Sequence, residues 1–323
     1  MKLNRFARYA WGVLAYNILV ILWGAFVRAS GSGAGCGSHW PLCNGDVVPW
    51  SPSIETIIEF THRLTSGAAL IAVISLLVWA FRAYPARHRV RLGASLSMLF
   101  MTVEALLGAA LVLFELVAYD TSTARAFIVG LHLINTYILL GMLTLTAWWA
   151  SGGQPLRLKN QGWLGWAIGI GFLGILLMGA SGGIAALGNT LFPAESVAEG
   201  LREDFSPTAH FLIRLRVAHP VIAIFLGAYI ILVMSLYNNA RATQLTSRLT
   251  KFFLALYLIQ LTGGALNIAL LAPVWMQLFH LFISDLILIT FVLFTATAFA
   301  QESVSQDETL SHPLPHTGEK AYG

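Results

Sequence analysis

Eight long apolar runs constrain this chain more than any other feature of its sequence. A helix needs about 20 such residues to cross a hydrocarbon core roughly 30 Å thick. A membrane barrel would show short strands of alternating polarity instead. The sequence therefore predicts an all-α integral membrane protein with eight transmembrane helices. The runs lie near 9–29, 57–81, 92–116, 127–149, 163–181, 211–237, 249–271 and 275–299.

The composition supports a lipid environment and excludes other classes. Of 323 residues, 57% are hydrophobic and only 11% are charged, whereas soluble domains carry roughly 25% charged residues. A soluble globular protein, a disordered chain and a nucleic-acid-binding protein are thereby excluded, and membrane lipid is the expected surrounding.

The basic residues predict the topology, because Lys and Arg collect on cytoplasmic connections. They fall on alternate connections, so both termini are predicted to be cytoplasmic. No cleavable signal is recognised before the first run, which indicates a multi-pass protein of the bacterial plasma membrane. The polar segment 301–323 is predicted to be a disordered cytoplasmic tail. The cations concerned are Lys2, Arg5, Arg8, Arg82, Arg87, Arg89, Arg91, Arg157, Lys159, Arg241, Arg248 and Lys251.

The two halves of the chain resemble each other at an offset of roughly 150 residues, which indicates a tandem repeat. An even number of spans per half gives both copies the same orientation in the membrane. The sequence therefore predicts two pseudo-symmetric four-helix bundles, at 1–150 and 151–300. The matched pairs are Gly24 with Gly179, His62 with His219, Gly108 with Gly264, and His132 with His280.

Four of the nine histidines lie inside apolar runs: His62, His132, His219 and His280. Each is predicted about five residues into its span from the outer side, hence at similar depth. Ionisable residues inside a membrane are costly and usually functional, and paired histidines on facing bundle helices hold haem iron. Zinc is a weaker alternative, because two histidines at each site supply too few ligands. The structural alternative is that each histidine forms a hydrogen bond to a neighbouring helix.

Four arginines lie on the predicted outer side near these histidines: Arg28, Arg63, Arg214 and Arg216. Arginine is a permanently charged, bidentate partner for carboxylates, so the four are candidates for binding haem propionates. Snorkelling to lipid headgroups is the alternative.

Glu59 precedes His62 by three residues, so both side chains share one helix face. Arg216 occupies the matching position of the second half. This asymmetry predicts chemistry in the first bundle and a redox centre in the second. The alternative is a Glu59 carboxylate paired with Arg63 or Arg28.

Two further acidic residues lie well inside spans. Glu104 matches Gln260 of the second half, so a hydrogen bond between helices would suit both. Asp285 is interpreted in the same way, with a proton path as the alternative.

A specific resemblance follows from the run Gly24-Ala-Phe-Val-Arg28-Ala-Ser-Gly-Ser-Gly-Ala-Gly-Cys36-Gly-Ser-His-Trp-Pro-Leu-Cys43, the motif Glu59-Phe-Thr-His62-Arg63, and one histidine in each even-numbered span. The chain from about 10 to 300 resembles haem A synthase, a family that oxidises the C8 methyl of haem O through a hydroxymethyl stage to the formyl group of haem A. One departure is His39, where relatives usually have an acidic residue.

The resemblance implies roles for these residues. The substrate haem would be bracketed by His62 and His132 in the first half, with Glu59 as the catalytic carboxylate. A haem b that passes electrons would be ligated through its iron by His219 and His280. The expected partners are haem O, the haem O synthase and cytochrome oxidase assembly factors.

The resemblance also implies a disulfide between Cys36 and Cys43 in an outer, oxidising compartment. A structural staple worth about 2–3 kcal/mol and a redox-active pair both stay open. His39 is interpreted as a surface residue, with transient ligation as the alternative.

Two other functions remain open. A di-haem b-type membrane cytochrome would explain the histidines and arginines but not Glu59. A transporter built from tandem repeats is the alternative from a different class.

Overall fold

The computed structural model describes residues 3–157 and 159–300, so the tail predicted at 301–323 lies outside the described residues. Eight spans are confirmed, with the sixth divided between α7 and α8. Apart from isolated β-bridges, the regular structure of the described residues is helical. The helices are α1 (Arg5–Ala29), α2 (Ile54–Ala83), α3 (Arg89–Leu113), α4 (Thr123–Ala150), α5 (Gly162–Leu191), α6 (Val197–Asp204), α7 (Phe211–Arg216), α8 (Ala218–Arg241), α9 (Gln244–Ala269) and α10 (Val274–Ala298).

Several helices begin before their apolar runs because polar residues cap them. The Ser53 side chain accepts a hydrogen bond from the Thr56 N–H at the start of α2, and Ser122 does the same for Arg125 at the start of α4. Such caps satisfy amide groups that have no partner within the helix. The first turn is therefore helical although its sequence is polar.

The sixth span is interrupted at Val217, two residues before His219. Pro220 has no N–H to donate to the carbonyl of Arg216, one turn earlier, and its ring opposes a continuous helix. The span consequently restarts at Ala218, which places His219 in the first turn of α8.

The helices of each half pack mainly on their neighbours along the chain. In the first half α1 packs on α2, α2 on α3 and α3 on α4, and α4 returns to α1. In the second half α5 packs on α8, α8 on α9 and α9 on α10. The halves meet where α4 and α1 contact α5 and α10. Their pseudo-symmetric relation stays a prediction.

Aromatic side chains join α1 to α2 at regular intervals. Each donates a hydrogen bond to a backbone carbonyl of α2, with donors ascending and acceptors descending along the two antiparallel helices. The bonds are from Tyr9 to Ala72 (3.0 Å), from Tyr16 to Thr65 (3.1 Å) and from Trp23 to Ile58 (3.2 Å). These three bonds tie α1 to α2 along most of their shared length.

Candidate functional site

The four intramembrane histidines lie about 9–14 Å from the first residue of their spans, at a rise of 1.5 Å a residue. They are His62 in α2, His132 in α4, His219 in α8 and His280 in α10. These distances along the spans are similar, and the predicted similar depth in the membrane stays a prediction. His62 and His132 lie deeper in their helices than the apolar runs predict because the caps start α2 and α4 earlier.

Each of these imidazoles lies opposite a glycine of the preceding span. A side chain at three of these glycines would press on the histidine ring, so the absent Cβ makes room for it. A Cβ would lie 2.9 Å from the Cε1 atom at Gly24 and His62, 3.0 Å at Gly182 and His219, 3.2 Å at Gly264 and His280, and 4.0 Å at Gly108 and His132.

The glycine match differs in one place from the sequence alignment of the halves. The alignment pairs Gly24 with Gly179, but a Cβ on Gly179 would meet the ring of Tyr137. Gly182, nearly one turn further along α5, contacts His219 instead. The glycine that contacts the histidine in the second half is therefore Gly182 and not the glycine of the Gly-Ala dipeptide.

In the second half, His219 and His280 face each other with ring centroids 6.3 Å apart. Two imidazoles that share one metal at ~2 Å from each ligating nitrogen have centroids roughly 6 Å apart. Ser181 Oγ lies 3.0 Å from Nδ1 of His219, and Gln260 Nε2 lies 3.0 Å from Nε2 of His280. The Ser181 contact leaves Nε2 of His219 free and is of the kind that orients a ligating imidazole. The Gln260 contact engages Nε2 of His280 and leaves its buried Nδ1 without a partner among the described residues. The spacing of the two rings would suit a shared haem iron.

In the first half, the Nδ1 atoms of His62 and His132 are buried and have no hydrogen-bond partner among the described residues. Buried ring nitrogens are normally paired, so two together indicate a further group. The Nε2 atom of His132 lies 3.6 Å from Oε1 of Glu104. The donor set fits a haem here too, with Gly24 and Gly108 lining the rings.

Glu59 is buried with 4% of its surface exposed, and both carboxylate oxygens are bound. Oε2 accepts a hydrogen bond from the Cys36 N–H at 2.9 Å, while Oε1 accepts from Arg63 Nε at 3.1 Å and from Nη2 at 2.5 Å. The structure thus places Glu59 in an ion pair with Arg63, and charge-assisted bonds of this kind fix a carboxylate firmly.

The same arginine holds the outer loop. Cys36 and Cys43 form the disulfide that the resemblance implies, and both are buried. Arg63 Nη1 donates to the carbonyls of His39, at 2.6 Å, and Leu42. The His39 side chain is exposed. The disulfide loop therefore rests on α2 through the arginine that also binds the acidic residue.

Arg28 crosses from the first half to the second. Its Nη1 donates to the Ala186 carbonyl and to Thr190 Oγ1, both at 2.8 Å, and its Nη2 donates to Gln277 Oε1 at 3.0 Å. These bonds tie α1 to α5 and α10. No carboxylate of the described residues lies within ion-pair distance of Arg28.

The other outer arginines differ from one another. Arg216 is paired with Asp204 and, at 3.6 Å, with Glu203. Arg214 is exposed and makes no ion pair within the described ranges.

The sequence analysis missed Arg125, which is 4% exposed at the start of α4. Its Nη1 donates to the carbonyls of Ala118 at 2.8 Å and Asp120 at 2.7 Å. The predicted apolar run begins at 127, so Arg125 lies outside it. A cation two turns before His132 was the available indication.

The two further acidic residues of the spans have opposite surroundings. Glu104 accepts from Asn135 Nδ2 at 2.6 Å and from Thr136 Oγ1 at 2.5 Å, so the predicted bond between helices is present. Asp285 is fully buried and neither oxygen has a partner among the described residues. The predicted interhelical bond of Asp285 is therefore absent there.

The sequence of this chain is similar to that of several known proteins. A family model described as "Cytochrome oxidase assembly protein" (COX15-CtaA) matches residues 7–292. A protein from Halalkalibacterium halodurans named heme A synthase is 33% identical over 153 residues, 47% of this chain and 50% of its own length. A protein of the same name from Bacillus mycoides is 44% identical over 111 residues, 34% of this chain and 36% of its own.

Proteins from two strains of Thermus thermophilus are 51% identical over 305 residues, which is 94% of this chain and 50% of each of theirs. They are named Protoheme IX farnesyltransferase. This chain therefore spans about half the length of these curated relatives.

Proposed function

This chain belongs to the cytochrome oxidase assembly protein family, and from that membership we propose that it is a haem A synthase. It would oxidise the C8 methyl of haem O to a hydroxymethyl and then to the formyl group of haem A. One observation carries the proposal. Two histidine pairs lie at similar distances along their helical spans, and a buried acidic residue accompanies the first pair in the position where the second half has Arg216.

The first half, 1–150, is proposed as the substrate bundle. His62 and His132 would hold haem O between α2 and α4, and Glu59 would act at the substrate edge. Oxidising a methyl to a formyl group takes one oxygen atom from water and releases four protons and four electrons in two stages. A carboxylate can accept protons during such steps, and the electrons would pass through the haem of the second half to an external electron acceptor. Arg63 and the Cys36 amide keep the Glu59 carboxylate in one position, which favours repeated use on one carbon.

The second half, 151–300, is proposed to hold a resident haem b through His219 and His280. When bound, this group would supply one-electron transfer. Ser181 and Gln260 hold the imidazole planes. Gly182 and Gly264 leave room for the rings.

We assign propionate binding first to Arg28 and Arg214, since neither pairs with a carboxylate of the described chain. Arg63 and Arg216 already bind carboxylates, so a propionate there would have to compete with Glu59 or Asp204. All four arginines lie towards the same end of the spans as the histidines.

The sidedness is also a proposal. Basic connections favour cytoplasmic termini and place the histidines near the outer side of a bacterial plasma membrane. The partners proposed are the haem O synthase that supplies the substrate and the oxidase assembly factors that receive haem A.

The test is conversion of haem O by the full chain in membranes of a host without its own haem A synthase. Extracted pigments are separated and scored for haem O, the hydroxymethyl product and haem A. We expect Glu59→Gln to accumulate haem O while the haem b spectrum stays intact. Glu55→Gln is the matched control, because Glu55 is exposed in the first turn of the same helix.

Three results would contradict the proposal. A wild-type chain that contains haem b but yields no oxidised haem would favour the di-haem cytochrome. A chain without any haem spectrum would favour the transporter. Normal conversion by Glu59→Gln would remove Glu59 from the chemistry, and loss of the haem b spectrum in that variant would refute the division between halves.

Farnesyl transfer is the second candidate, because the Thermus relatives are named for it. A diphosphate leaving group is normally bound through Mg²⁺ and carboxylates. The described residues contain no group of three or more His, Cys, Asp or Glu side chains that could hold a metal ion. We therefore assign that activity to the half of those relatives that this chain does not match. Formation of haem O from protohaem and farnesyl diphosphate by this chain would overturn the assignment.

A further inference from the structure

Two adjacent grooves lie on the face of α1 and α2, at the end far from the histidines. The first has a volume of about 580 Å³ and runs between the helices past Tyr9, Gly12 and Ala72 to Arg5 and Arg8. The second has a volume of about 500 Å³ and runs along α2 past Ile74 and Val78 to Arg82. Trp79 is the wall that both grooves share.

The walls of the grooves are fixed by packing. Trp79 contacts the rings of Phe6 and Tyr9 at centroid distances of 5.5 Å each. The Tyr9 hydroxyl is bonded to the Ala72 carbonyl. A Cβ on Gly12 would have nothing within 4 Å, so the floor of the first groove is open. The grooves are thus preformed.

The arginines at the groove ends have no counter-ion within the ranges that the structure describes. Arg5, Arg8 and Arg82 are exposed, and none forms an ion pair with a described residue. The connections at 84–88, 151–161 and 242–243 contain no Asp or Glu. Three cations beside two apolar grooves at a membrane interface complement a ligand with one anionic head and two hydrocarbon chains.

We propose that this surface binds one anionic phospholipid. Its phosphate contacts Arg5, Arg8 and Arg82, and its two acyl chains lie on either side of Trp79. An aromatic side chain at headgroup level suits this role, because tryptophan is favoured at membrane interfaces. The lipid fills the groove between α1 and α2.

The position of the grooves favours a lipid over the isoprenoid tail of a haem. Trp79 lies 17 residues beyond His62 in the same helix, or about 25 Å along the axis. The isoprenoid tail of a haem held by His62 is uncharged. It would leave all three arginines unused, whereas a phospholipid uses them.

The experiment measures binding of phosphatidylglycerol to the delipidated full chain in detergent, by native mass spectrometry and by the shift in Tm. The test variant is Arg5→Gln/Arg8→Gln/Arg82→Gln. The matched control is Arg157→Gln/Arg241→Gln/Arg248→Gln, which removes three exposed cations of the other half. We expect the test variant to lose roughly 10–100-fold in affinity, because each cation attracts the headgroup. We expect the control to stay within about twofold, and phosphatidylcholine to bind weakly to all three.

A second variant keeps the test valid if the triple variant does not fold. Gly12→Leu fills the open floor of the first groove while all arginines remain, and it should lower the affinity as well. Equal losses in the test and control triples would show that only net charge matters. Equal binding of the two lipids, unchanged binding by Gly12→Leu, or displacement of the lipid by haem O would each overturn the proposal.

Discussion

Replacing Gly182 with alanine tests the second histidine pair most directly. The new methyl would lie 3.0 Å from Cε1 and 3.5 Å from Nδ1 of His219, whereas ordinary contacts lie at 3.4–4 Å. The imidazole must therefore move by at least about 0.4 Å, if the helices hold their positions as close-packed elements do. Metal–ligand distances tolerate only about 0.2 Å.

The expected magnitudes follow from these contacts. In the haem-free protein, overpacking costs about 1–3 kcal/mol, and the gain in helix propensity offsets about 1 kcal/mol of it. The free energy of unfolding should thus fall by no more than about 2 kcal/mol. Haem affinity should fall far more, by roughly 10–100-fold, as when the support of a metal ligand is disturbed.

The assay is haem b content per purified chain, with the absorption spectrum as the readout of axial ligation. Gly169→Ala is the control on the same helix, because a Cβ there has nothing within 4 Å. The control should keep its haem and gain slightly in stability. A Gly182→Ala chain with wild-type haem content would refute the assignment of His219 as an iron ligand held by this contact.

Three further predictions concern stability, each measured as Tm or unfolding free energy in detergent. Arg28→Gln should lower the free energy of unfolding by about 2–5 kcal/mol, because charged hydrogen bonds to both α5 and α10 are lost. The exposed Arg214→Gln is the control and should change it by no more than about 0.5 kcal/mol. Equal effects of the two variants would contradict a role for Arg28 between the halves. The double variant Cys36→Ser/Cys43→Ser should lose about 2–3 kcal/mol of unfolding free energy. It should also convert less haem O while it keeps its haem b. Unchanged conversion would disprove that the disulfide loop holds Glu59 in position. Asp285→Val should raise the free energy of unfolding by about 1 kcal/mol, because a buried carboxyl without a partner among the described residues is removed. A decrease would show that Asp285 has a stabilising partner.

The spans and the histidines could be predicted from sequence because both depend on local composition. Each apolar run is long enough to form a helix by itself, and a histidine within it is visible at once. The bounds were less accurate, since Ser53 and Ser122 extend helices into polar sequence through single hydrogen bonds. The four histidines do lie at similar distances along their spans, although two of them lie deeper than their runs indicate. Their depth in the membrane stays a prediction.

The local pair of Glu59 and Arg63 was among the alternatives read from sequence, but the long-range partners of the site residues could not be predicted. Glu59 accepts a hydrogen bond from the Cys36 amide, 23 residues away. Arg28 donates to Gln277, 249 residues away. Pairings of this range depend on how the helices pack, and a motif contains no information on that.

The sequence by itself determined a membrane protein of eight helices with four intramembrane histidines and a resemblance to one enzyme family. Hydropathy acts residue by residue, so these features need no tertiary contact. Only the tertiary structure decided which glycine faces each histidine, that Arg63 binds Glu59 and the disulfide loop together, and that Arg28 joins the halves. Those choices depend on close packing and on hydrogen bonds with strict geometry, which form only when distant segments meet.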